Sequence, residues 1–230
     1  VLWQQQSAEY KALCYQAFNL AKMQLDKTTQ QLTMDRTPLA IITDIDETVL
    51  DNSPYNAKMI ATDQEYSKAD WIEWGQLRNA QPVPGALEFF TYAKSKGVEI
   101  FYISNRYAIQ QKETQANLAQ LGFPDADSAH ILLRTTTSGK EERRKTVTQE
   151  HRVLLLLGDN LSDFDQVFDK KQTDERNALA EEMKQKFGTA FIVLPNPMYG
   201  DWETKGIYQG NYNWTPAQKD SIRKATLKSY

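Results

Sequence analysis

Five short apolar runs, separated by segments of helical periodicity, constrain the fold of this 230-residue chain more than any other feature. The runs occupy residues 39–43, 98–103, 129–133, 153–157 and 190–194. The first is rich in β-branched residues and the fourth is entirely apolar, as expected for strands buried on both faces. Alternating strands and helices predict an α/β fold, with a Rossmann-like parallel sheet covered by helices on both faces.

Helices are predicted between these strands, and glycine or proline marks most of their ends. The first runs from Ser7 to about Gln31, ahead of the Thr37-Pro38 step. Its apolar side chains recur every three to four residues, at Tyr10, Leu13, Ala17, Ala21 and Leu25. Later helices are predicted to end at Gly97 and Gly122, to begin near Lys140, to span 174–187 before Gly188, and to open at Thr215-Pro216.

The stretch 51–84 interrupts the alternation. It holds Tyr55, Tyr66, Trp71 and Trp74 among polar residues and has no strand pattern. We predict a small, mainly helical cap over the sheet from this segment. Residues 1–230 are then expected to form one domain. The N- and C-terminal helices are candidates to form part of its cap.

Composition excludes several other classes. The formal net charge is −3 with basic residues spread along the chain, which argues against a nucleic acid polymer as partner. No apolar stretch approaches the ~18 residues of a membrane span. Cys14 is the single cysteine, so no internal disulfide forms and the redox compartment stays open. The start at Val1 without Met predicts a processed chain whose targeting segment would precede it.

Polar side chains gather where the predicted strands end. Ligands of parallel α/β sheets bind at the carboxyl ends of the strands, so these side chains are expected to share one edge. They are Asp44 and Asp46, Ser104, Lys140 at the start of a helix, and Asp159 and Asp163.

This set suits phosphoryl transfer. A phosphate dianion repels an attacking carboxylate, so the site must supply positive charge first. Aspartates crowded in a dry pocket need a cation, and oxygen-only ligands favour Mg²⁺. Lys140 and the Ser104 hydroxyl would each contact a phosphate oxygen.

The Asp-x-Asp doublet alone is weak evidence. It occurs three times, at 44/46, 125/127 and 163/165, although sixteen aspartates would give about one by chance. The pair 125/127 fits a turn, 163/165 fits helix capping, and acidic residues at 46–47 also suit a helix start. Only the pair 44/46 directly follows a buried strand, and the other strand ends carry matching chemistry.

Two long motifs resemble a known family. Residues 42–52 (ITDIDETVLDN) and 157–164 (LGDNLSDF) are similar to the paired signature of bacterial class C acid phosphatases, four-aspartate enzymes of the haloacid dehalogenase (HAD) superfamily. The likeness extends to the N-terminal helix, to 103–106 (ISNR) and to 199–203 (YGDWE).

The resemblance implies a role for each residue. Asp44 would be the nucleophile and a metal ligand. Asp46 would be the general acid and base, with its backbone carbonyl on Mg²⁺. Asp159 would be the third protein ligand, and Asp163 would support metal-bound water. Ser104, Asn105 and Lys140 would hold the phosphoryl group, with Lys145 as the alternative to Lys140. If Asp46 starts protonated, the pH optimum would be acidic.

Further expectations concern substrate and location. In the related enzymes, aromatic residues at positions like Trp71 and Tyr199 flank the substrate, whereas core packing is the alternative for Trp71 and for Trp74. Small phosphomonoesters such as nucleoside monophosphates, including nicotinamide mononucleotide, are the expected substrates.

Family members are secreted or lipid-anchored, which implies the bacterial cell surface, outer membrane or periplasm, with the anchor cysteine before Val1. The aromatic segment Leu2-Trp3 is a candidate homodimer contact.

Two other functions are weighed. A receiver domain also uses aspartates, a hydroxyl and a lysine around Mg²⁺, but its phosphorylated aspartate follows the third strand, where this chain has Leu133-Arg134. A non-catalytic binding or storage protein on the same scaffold would have lost Asp44, which is present here. Apart from Lys140, the charged run 140–145 is expected to be a solvated helix face, His130 structural and His151 on the surface.

Overall fold

The computed structural model describes residues 1–31 and 37–230. Its strands are β1 (Leu39–Thr43), β2 (Leu50–Asp51), β3 (Gln81–Pro82), β4 (Val98–Tyr107), β5 (Ile131–Arg134), β6 (Arg152–Gly158) and β7 (Phe191–Val193). Its helices are α1 (Leu2–Gln6), α2 (Ala8–Gln31), α3 (Ser53–Ala61), α4 (Lys68–Gln76), α5 (Ala86–Ser95), α6 (Gln111–Leu121), α7 (Glu141–Thr148), α8 (Thr173–Glu182) and α9 (Pro216–Thr226).

A five-stranded parallel sheet organises these elements and confirms the predicted α/β class. Its strand order is β5-β4-β1-β6-β7. The chain builds outward from β1 in one direction and then returns to build outward in the other, so the order reverses between β1 and β6. The crevice beyond the carboxyl ends of such a pair is where ligands of doubly wound sheets bind.

The core lies on both faces of this sheet. On one face, α2 and α5 bury a large cluster that includes Leu25 and Phe90, both 0% exposed. Full burial of each such side chain contributes about 1.5–3 kcal/mol. On the other face, α7 contributes Val147 to a smaller cluster with Ile42 and Phe101.

The stripe predicted for the first helix is wrong at one position. Leu13 is 42% exposed, and Cys14 is fully buried in its place. The spacing 10, 14, 17, 21 and 25 follows the helical period more closely than one that includes 13, because Cys14 lies one turn from Tyr10. A small, apolar thiol is often buried, but a pattern search that favours leucine overlooks it.

The segment 51–84 contains α3 and α4, as the helical interpretation of it predicts. It also contains a feature the sequence does not signal. β2 and β3 pair antiparallel, with Leu50 opposite Pro82 and Asp51 opposite Gln81. The β2–β3 ribbon joins the two ends of this segment. The segment therefore begins and ends at the same place beside the main sheet. That the segment serves as the cap stays a prediction.

Predicted helix ends agree with the structure where glycine adopts a positive φ. Gly122 ends α6 at φ 86°. The helix predicted over 174–187 is shorter, because α8 ends at Glu182 and a 3₁₀ turn, Lys184–Lys186, precedes Gly188. At the other end of the chain, the Thr215 side chain accepts a hydrogen bond from the Gln218 backbone and caps α9 as predicted. Across residues 1–31 and 37–230, no helix combines the length and apolarity that crossing a bilayer requires.

Candidate active site

Lys140 links two aspartates beyond the carboxyl ends of β1 and β6. Asp44 is the residue after β1 and is 7% exposed, and Lys140 precedes α7 and is 4% exposed. The Lys140 ammonium contacts the Asp44 carboxylate and lies 2.7 Å from Asp163 Oδ1. A buried ammonium between two buried carboxylates offsets their mutual repulsion, so the three side chains form one charged unit.

Three carboxylates converge beside this unit. Asp44, Asp159 and Asp163 each present an oxygen, and these oxygens lie within 4.8 Å of one another. Burial raises the pKa of Asp44 to about 7, with Lys140 opposing that rise and Asp163 and Asp46 adding to it. The pKa of Asp159 is also well above its ordinary value, first through burial and then through Asp163 and Asp44. Crowded acidic oxygens with raised pKa values are the donor set that a hard divalent cation stabilises.

Neighbouring side chains fix the orientation of these carboxylates. Asp159 accepts hydrogen bonds from Thr48 Oγ1 at 3.2 Å and from Asn196 Nδ2 at 2.7 Å. Asp163 Oδ2 accepts one from the Asn160 backbone at 2.9 Å. Gly158 leaves room for Asp163, because a Cβ there would lie 2.5 Å from that of Asp163.

Asp46 points to a different set of partners. Its Oδ1 accepts hydrogen bonds from Arg106 Nε and Asn52 Nδ2, both at 2.9 Å. Its Oδ2 accepts one from the Ser104 hydroxyl at 3.0 Å. Thus the two residues predicted to handle protons and phosphate, Asp46 and Ser104, touch each other directly.

Arg106, Asn52 and Glu47 also belong to the site, although the sequence does not predict a role for them. Arg106 lies in the motif at 103–106, and its side chain is 2% exposed. Glu47 is fully buried at φ 63°, and its carboxylate accepts hydrogen bonds from Gln4 Nε2 at 2.6 Å and from the Asn52 backbone at 3.1 Å. Burial raises the pKa of Glu47 to about 8, although the Gln4 hydrogen bond opposes this.

The charged run at 140–145 is only in part the solvated face that its composition predicts: Glu142 and Lys145 are exposed, but Arg143 and Arg144 make contacts at the site. Arg143 donates to Ser104 O at 2.6 Å and to the side chain of the exposed Asn105 at 2.7 Å. Arg144, 6% exposed, donates to the carbonyl oxygens of Ser162 and Asp163 at 3.0 and 2.9 Å. Positions 143 and 144 share a helix face with 140, and this spacing was the signal available in the sequence.

Of the two lysines considered at this site, the structure places Lys140 in it. Lys145 is exposed and pairs with Glu142 at 2.9 Å on the surface of α7. Five positions separate the two lysines, so their side chains leave the helix in different directions.

The candidate aromatic walls occupy separate places. The Trp71 ring packs against Tyr55 with centroids 5.1 Å apart, and the Arg106 guanidinium lies 5.9 Å from it. Trp74 donates its indole N–H to Asn52 Oδ1 at 2.8 Å. Tyr199 donates its hydroxyl to Glu47 at 3.2 Å. Trp71 therefore adjoins Arg106, which bonds to Asp46, whereas Tyr199 adjoins Glu47. Among the described residues, no contact joins the rings of Trp71 and Tyr199.

Comparison with known proteins identifies the family. Residues 1–202 match the family model described as HAD superfamily, subfamily IIIB (Acid phosphatase). The chain belongs to this subfamily. The class C acid phosphatase from Bacillus anthracis, also solved with tungstate bound, is 44% identical, with a TM-score of 0.95 over 100% of this chain and 95% of that one. The resemblance to class C acid phosphatases and the fold it implied are thereby confirmed.

Curated plant proteins are more distant relatives. The "Stem 31 kDa glycoprotein" of Glycine max is 29% identical over 161 residues, which is 67% of this chain and 57% of that protein. "Acid phosphatase 1" of Solanum lycopersicum is 26% identical over 166 residues, 69% of this chain and 57% of that one. This chain spans about half the length of the curated relatives it matches. HAD phosphatases generally use a divalent metal, and the three-carboxylate group fits one.

Proposed function

We propose that this protein is a magnesium-dependent acid phosphatase that hydrolyses small phosphomonoesters through an aspartyl-phosphate on Asp44. One observation carries the proposal. The Lys140 ammonium joins Asp44 to Asp163, and the oxygens of Asp44, Asp159 and Asp163 lie within 4.8 Å of one another. A nucleophilic carboxylate beside a fixed cation and a set of metal-binding oxygens is the arrangement that phosphoryl transfer to an aspartate requires.

The side chains of Asp44, Asp159 and Asp163 would hold the ion, together with the backbone carbonyl of Asp46. When bound, Mg²⁺ neutralises negative charge on a phosphate oxygen and orients the phosphoryl group. These donors are all oxygens, as this ion prefers. The hydrogen bonds from Thr48 and Asn196 to Asp159 keep that carboxylate oriented for coordination.

The chemistry then divides between two aspartates. A carboxylate oxygen of Asp44 attacks phosphorus, and the P–O bond to the leaving alcohol breaks. Asp46 donates a proton to the departing oxygen, which otherwise leaves as an unfavourable alkoxide. In the second half of the reaction, a water molecule attacks the phosphorus of the aspartyl-phosphate and gives up a proton to Asp46. Inorganic phosphate leaves, and the Asp44 carboxylate is regenerated. Lys140 balances charge on Asp44 throughout.

Ser104 and Arg106 support this division of roles. Both bond to Asp46 and hold its carboxylate in a fixed orientation. The Ser104 carbonyl in turn accepts a hydrogen bond from Arg143, which ties the strand end to α7. Preorganised groups of this kind lower the barrier because they need little rearrangement when charge develops.

Planar leaving groups are the expected class of substrate. Tyr55, Tyr66 and Trp71 form an aromatic cluster beside Arg106, and ring faces stack on nucleobases or aryl groups. Nucleoside monophosphates, including nicotinamide mononucleotide, fit this description. Attachment to the bacterial surface through a lipid rests on the family resemblance, and formation of a homodimer rests on the aromatic segment Leu2-Trp3; both stay predictions.

The competing function is a non-catalytic binding or storage protein. The intact Asp44–Lys140 pair favours catalysis. The decisive experiment measures hydrolysis of a panel of phosphomonoesters with Mg²⁺ and with a chelator, beside Asp44→Asn as a blank. Asp46→Asn is expected to trap labelled phosphate on the protein. With an aryl phosphate, the aspartyl-phosphate forms with little help from a general acid, because the aryl oxide is a good leaving group. Hydrolysis of the aspartyl-phosphate still needs the general base that this variant lacks. Metal-saturated protein that binds phosphate esters without turnover would favour the binding function.

A further inference from the structure

The Tyr107 ring carries two cationic side chains. Lys68 Nζ lies 4.4 Å from the ring centroid, and the Arg134 guanidinium carbon lies 4.2 Å from it. Arg134 faces Tyr107 across the β4–β5 ladder, and Lys68 is the first residue of α4. Two strands and the helical segment 51–84 therefore bring two positive charges to one ring.

These cations differ from the two that pair with the aspartates of the site. Lys140 is paired with Asp44 and Asp163, and Arg106 with Asp46. Within residues 1–31 and 37–230, no carboxylate lies within ion-pair distance of Lys68 or Arg134. An aromatic face stabilises a cation only in part, so the positive potential here is not neutralised by the protein.

The Tyr107 hydroxyl responds to its hydrogen-bond partners and to these two charges. Burial alone would raise the pKa of Tyr107, but hydrogen bonds with Tyr66 and Arg134, together with the charges of Arg134 and Lys68, outweigh burial and lower it. The hydroxyl oxygens of Tyr66 and Tyr107 are 3.2 Å apart. A lowered phenol pKa is the response expected of an acidic group beside unneutralised cations.

This cationic pair adjoins the candidate site. Tyr107 directly follows Arg106, which holds Asp46. Tyr66 packs against Trp71 with ring centroids 6.4 Å apart, and Lys68 precedes Trp71 by three positions, so both share a face of α4. A substrate whose leaving group stacks on this aromatic cluster would direct its far end toward the pair.

We propose that Lys68 and Arg134 form a subsite for a second anionic group, so that the enzyme favours phosphomonoesters whose leaving group carries a further carboxylate or phosphate. This inference rests on the proposed function and names its substrate class. Arginine binds such groups through two parallel hydrogen bonds, and lysine adds a point charge. The neighbouring rings would contact the body of the leaving group between its two anionic ends.

The test compares phenyl phosphate with carboxyphenyl phosphate, and a nucleoside monophosphate with the matching bisphosphate. Wild type should favour the doubly anionic member of each pair by roughly five- to tenfold in kcat/KM at low salt, through KM. Lys68→Gln and Arg134→Gln should remove the preference and leave kcat/KM for phenyl phosphate unchanged. Arg134→Lys should restore part of it. The matched control is Lys112→Gln, an exposed lysine on α6, which should preserve it.

A binding measurement separates this inference from the proposed function. Calorimetry with benzylphosphonate and carboxybenzylphosphonate in Mg²⁺ needs no turnover, and the carboxylated compound should bind more tightly in wild type but not in Arg134→Gln. The preference should weaken between about 20 mM and 300 mM salt. An absence of turnover with this binding difference intact would refute the phosphatase function only. Equal binding of the two phosphonates, or equal losses for both substrates in the variants, would overturn the subsite.

Discussion

The Arg106 guanidinium lies 2.8 Å from Asp46 Oδ1, and its Nε donates to the same oxygen at 2.9 Å. The Arg106 side chain is 2% exposed, so little water competes for these contacts. Arg106 comes from β4, whereas Asp46 follows β1. The pairing of neighbouring strands thus fixes the candidate general acid, and removal of the guanidinium should affect proton transfer before it affects phosphate binding.

Arg106→Gln is expected to lower kcat by roughly ten- to a hundredfold, a part of the 10²–10⁴ that general acid–base catalysis supplies. Arg106→Lys should lose less, since it retains the charge. The loss should be larger for alkyl phosphates than for nitrophenyl phosphate, because nitrophenolate leaves without a proton. Equal losses for the two leaving groups, measured under saturating substrate, would show that Arg106 acts through something other than Asp46.

Lys140→Met should destabilise the protein and abolish activity. It leaves Asp44 and Asp163 buried without their shared cation, which costs about 3–5 kcal/mol in the absence of metal. Thermal unfolding in chelator measures this loss. Lys145→Met is the matched control, since its exposed ammonium pairs only with Glu142, and its Tm and kcat should match those of wild type. A Lys140 variant as stable as the control would contradict the charged unit described here.

Removal of metal should lower the Tm of wild type. An ion at a hundred times its Kd stabilises the folded state by about 2.7 kcal/mol, or roughly 5–10 °C in a chain of this size. Asp159→Asn should abolish the Mg²⁺-dependent rise, because one of the three converging carboxylates is lost. Asp125→Asn, in the turn at 125–127, should keep the rise even if its own Tm falls. The proposed metal site fails if Asp159→Asn responds to Mg²⁺ as wild type does.

Much of the fold was predictable because its strands are buried on both faces. Such strands read as continuous apolar runs, and the run at 39–43 coincides with β1. The β2–β3 ribbon was not predictable, since two paired residues per strand are too few for any alternation to appear. The burial of Cys14 in place of Leu13 depended on the rotation of α2 against the sheet, which only the packed structure fixes.

The site shows the same division. Asp44, Asp159 and Lys140 were predictable because their chain positions, directly after a strand or directly before a helix, determine where they lie, and Asp163 follows Asp159 by one 3₁₀ turn. Arg106 and Glu47 were not, because their roles consist of hydrogen bonds between distant segments. Glu47, for example, is joined to Gln4 across 43 positions. Arg143 and Arg144 lie between these cases, since helical spacing from Lys140 was available as a signal.

The Gln4–Glu47 contact predicts that the N-terminus supports the segment between β1 and β2, which carries Asp44 and Asp46. Gln4→Leu removes a 2.6 Å donor from a fully buried carboxylate. The unsatisfied acceptor should cost about 1–3 kcal/mol, measured by denaturant unfolding. Activity should fall as well, because Glu47 holds the Asn52 backbone and Asn52 bonds to Asp46. Gln5→Leu is the control, because the Gln5 side chain bonds to Ser53 and not to Glu47. This variant should leave kcat closer to that of wild type.

Stability should fall as pH rises through the pKa of His130. Burial of the His130 ring would lower its pKa, but hydrogen bonds with Asp127 and Glu99, at 2.9 and 3.2 Å, outweigh burial and raise it above 6.5. Because the folded pKa is the higher one, the contribution is fully present below pH 6.5 and is lost as pH passes the raised value.

Such a partly exposed pair contributes about 0.5–1 kcal/mol, so the Tm of wild type should fall by about 2 °C more than that of His130→Gln between about pH 5.5 and 8.5. His151 also lies 3.5 Å from Glu99, so His151→Gln should be measured alongside, and the double variant separates the two contributions. The contacts of Phe101 with both imidazole rings, at 4.9 and 4.8 Å, make glutamine preferable to alanine because it limits the loss of packing. If His130→Gln shows the same pH dependence of Tm as wild type, the ion pairs with Asp127 and Glu99 do not stabilise the acid form.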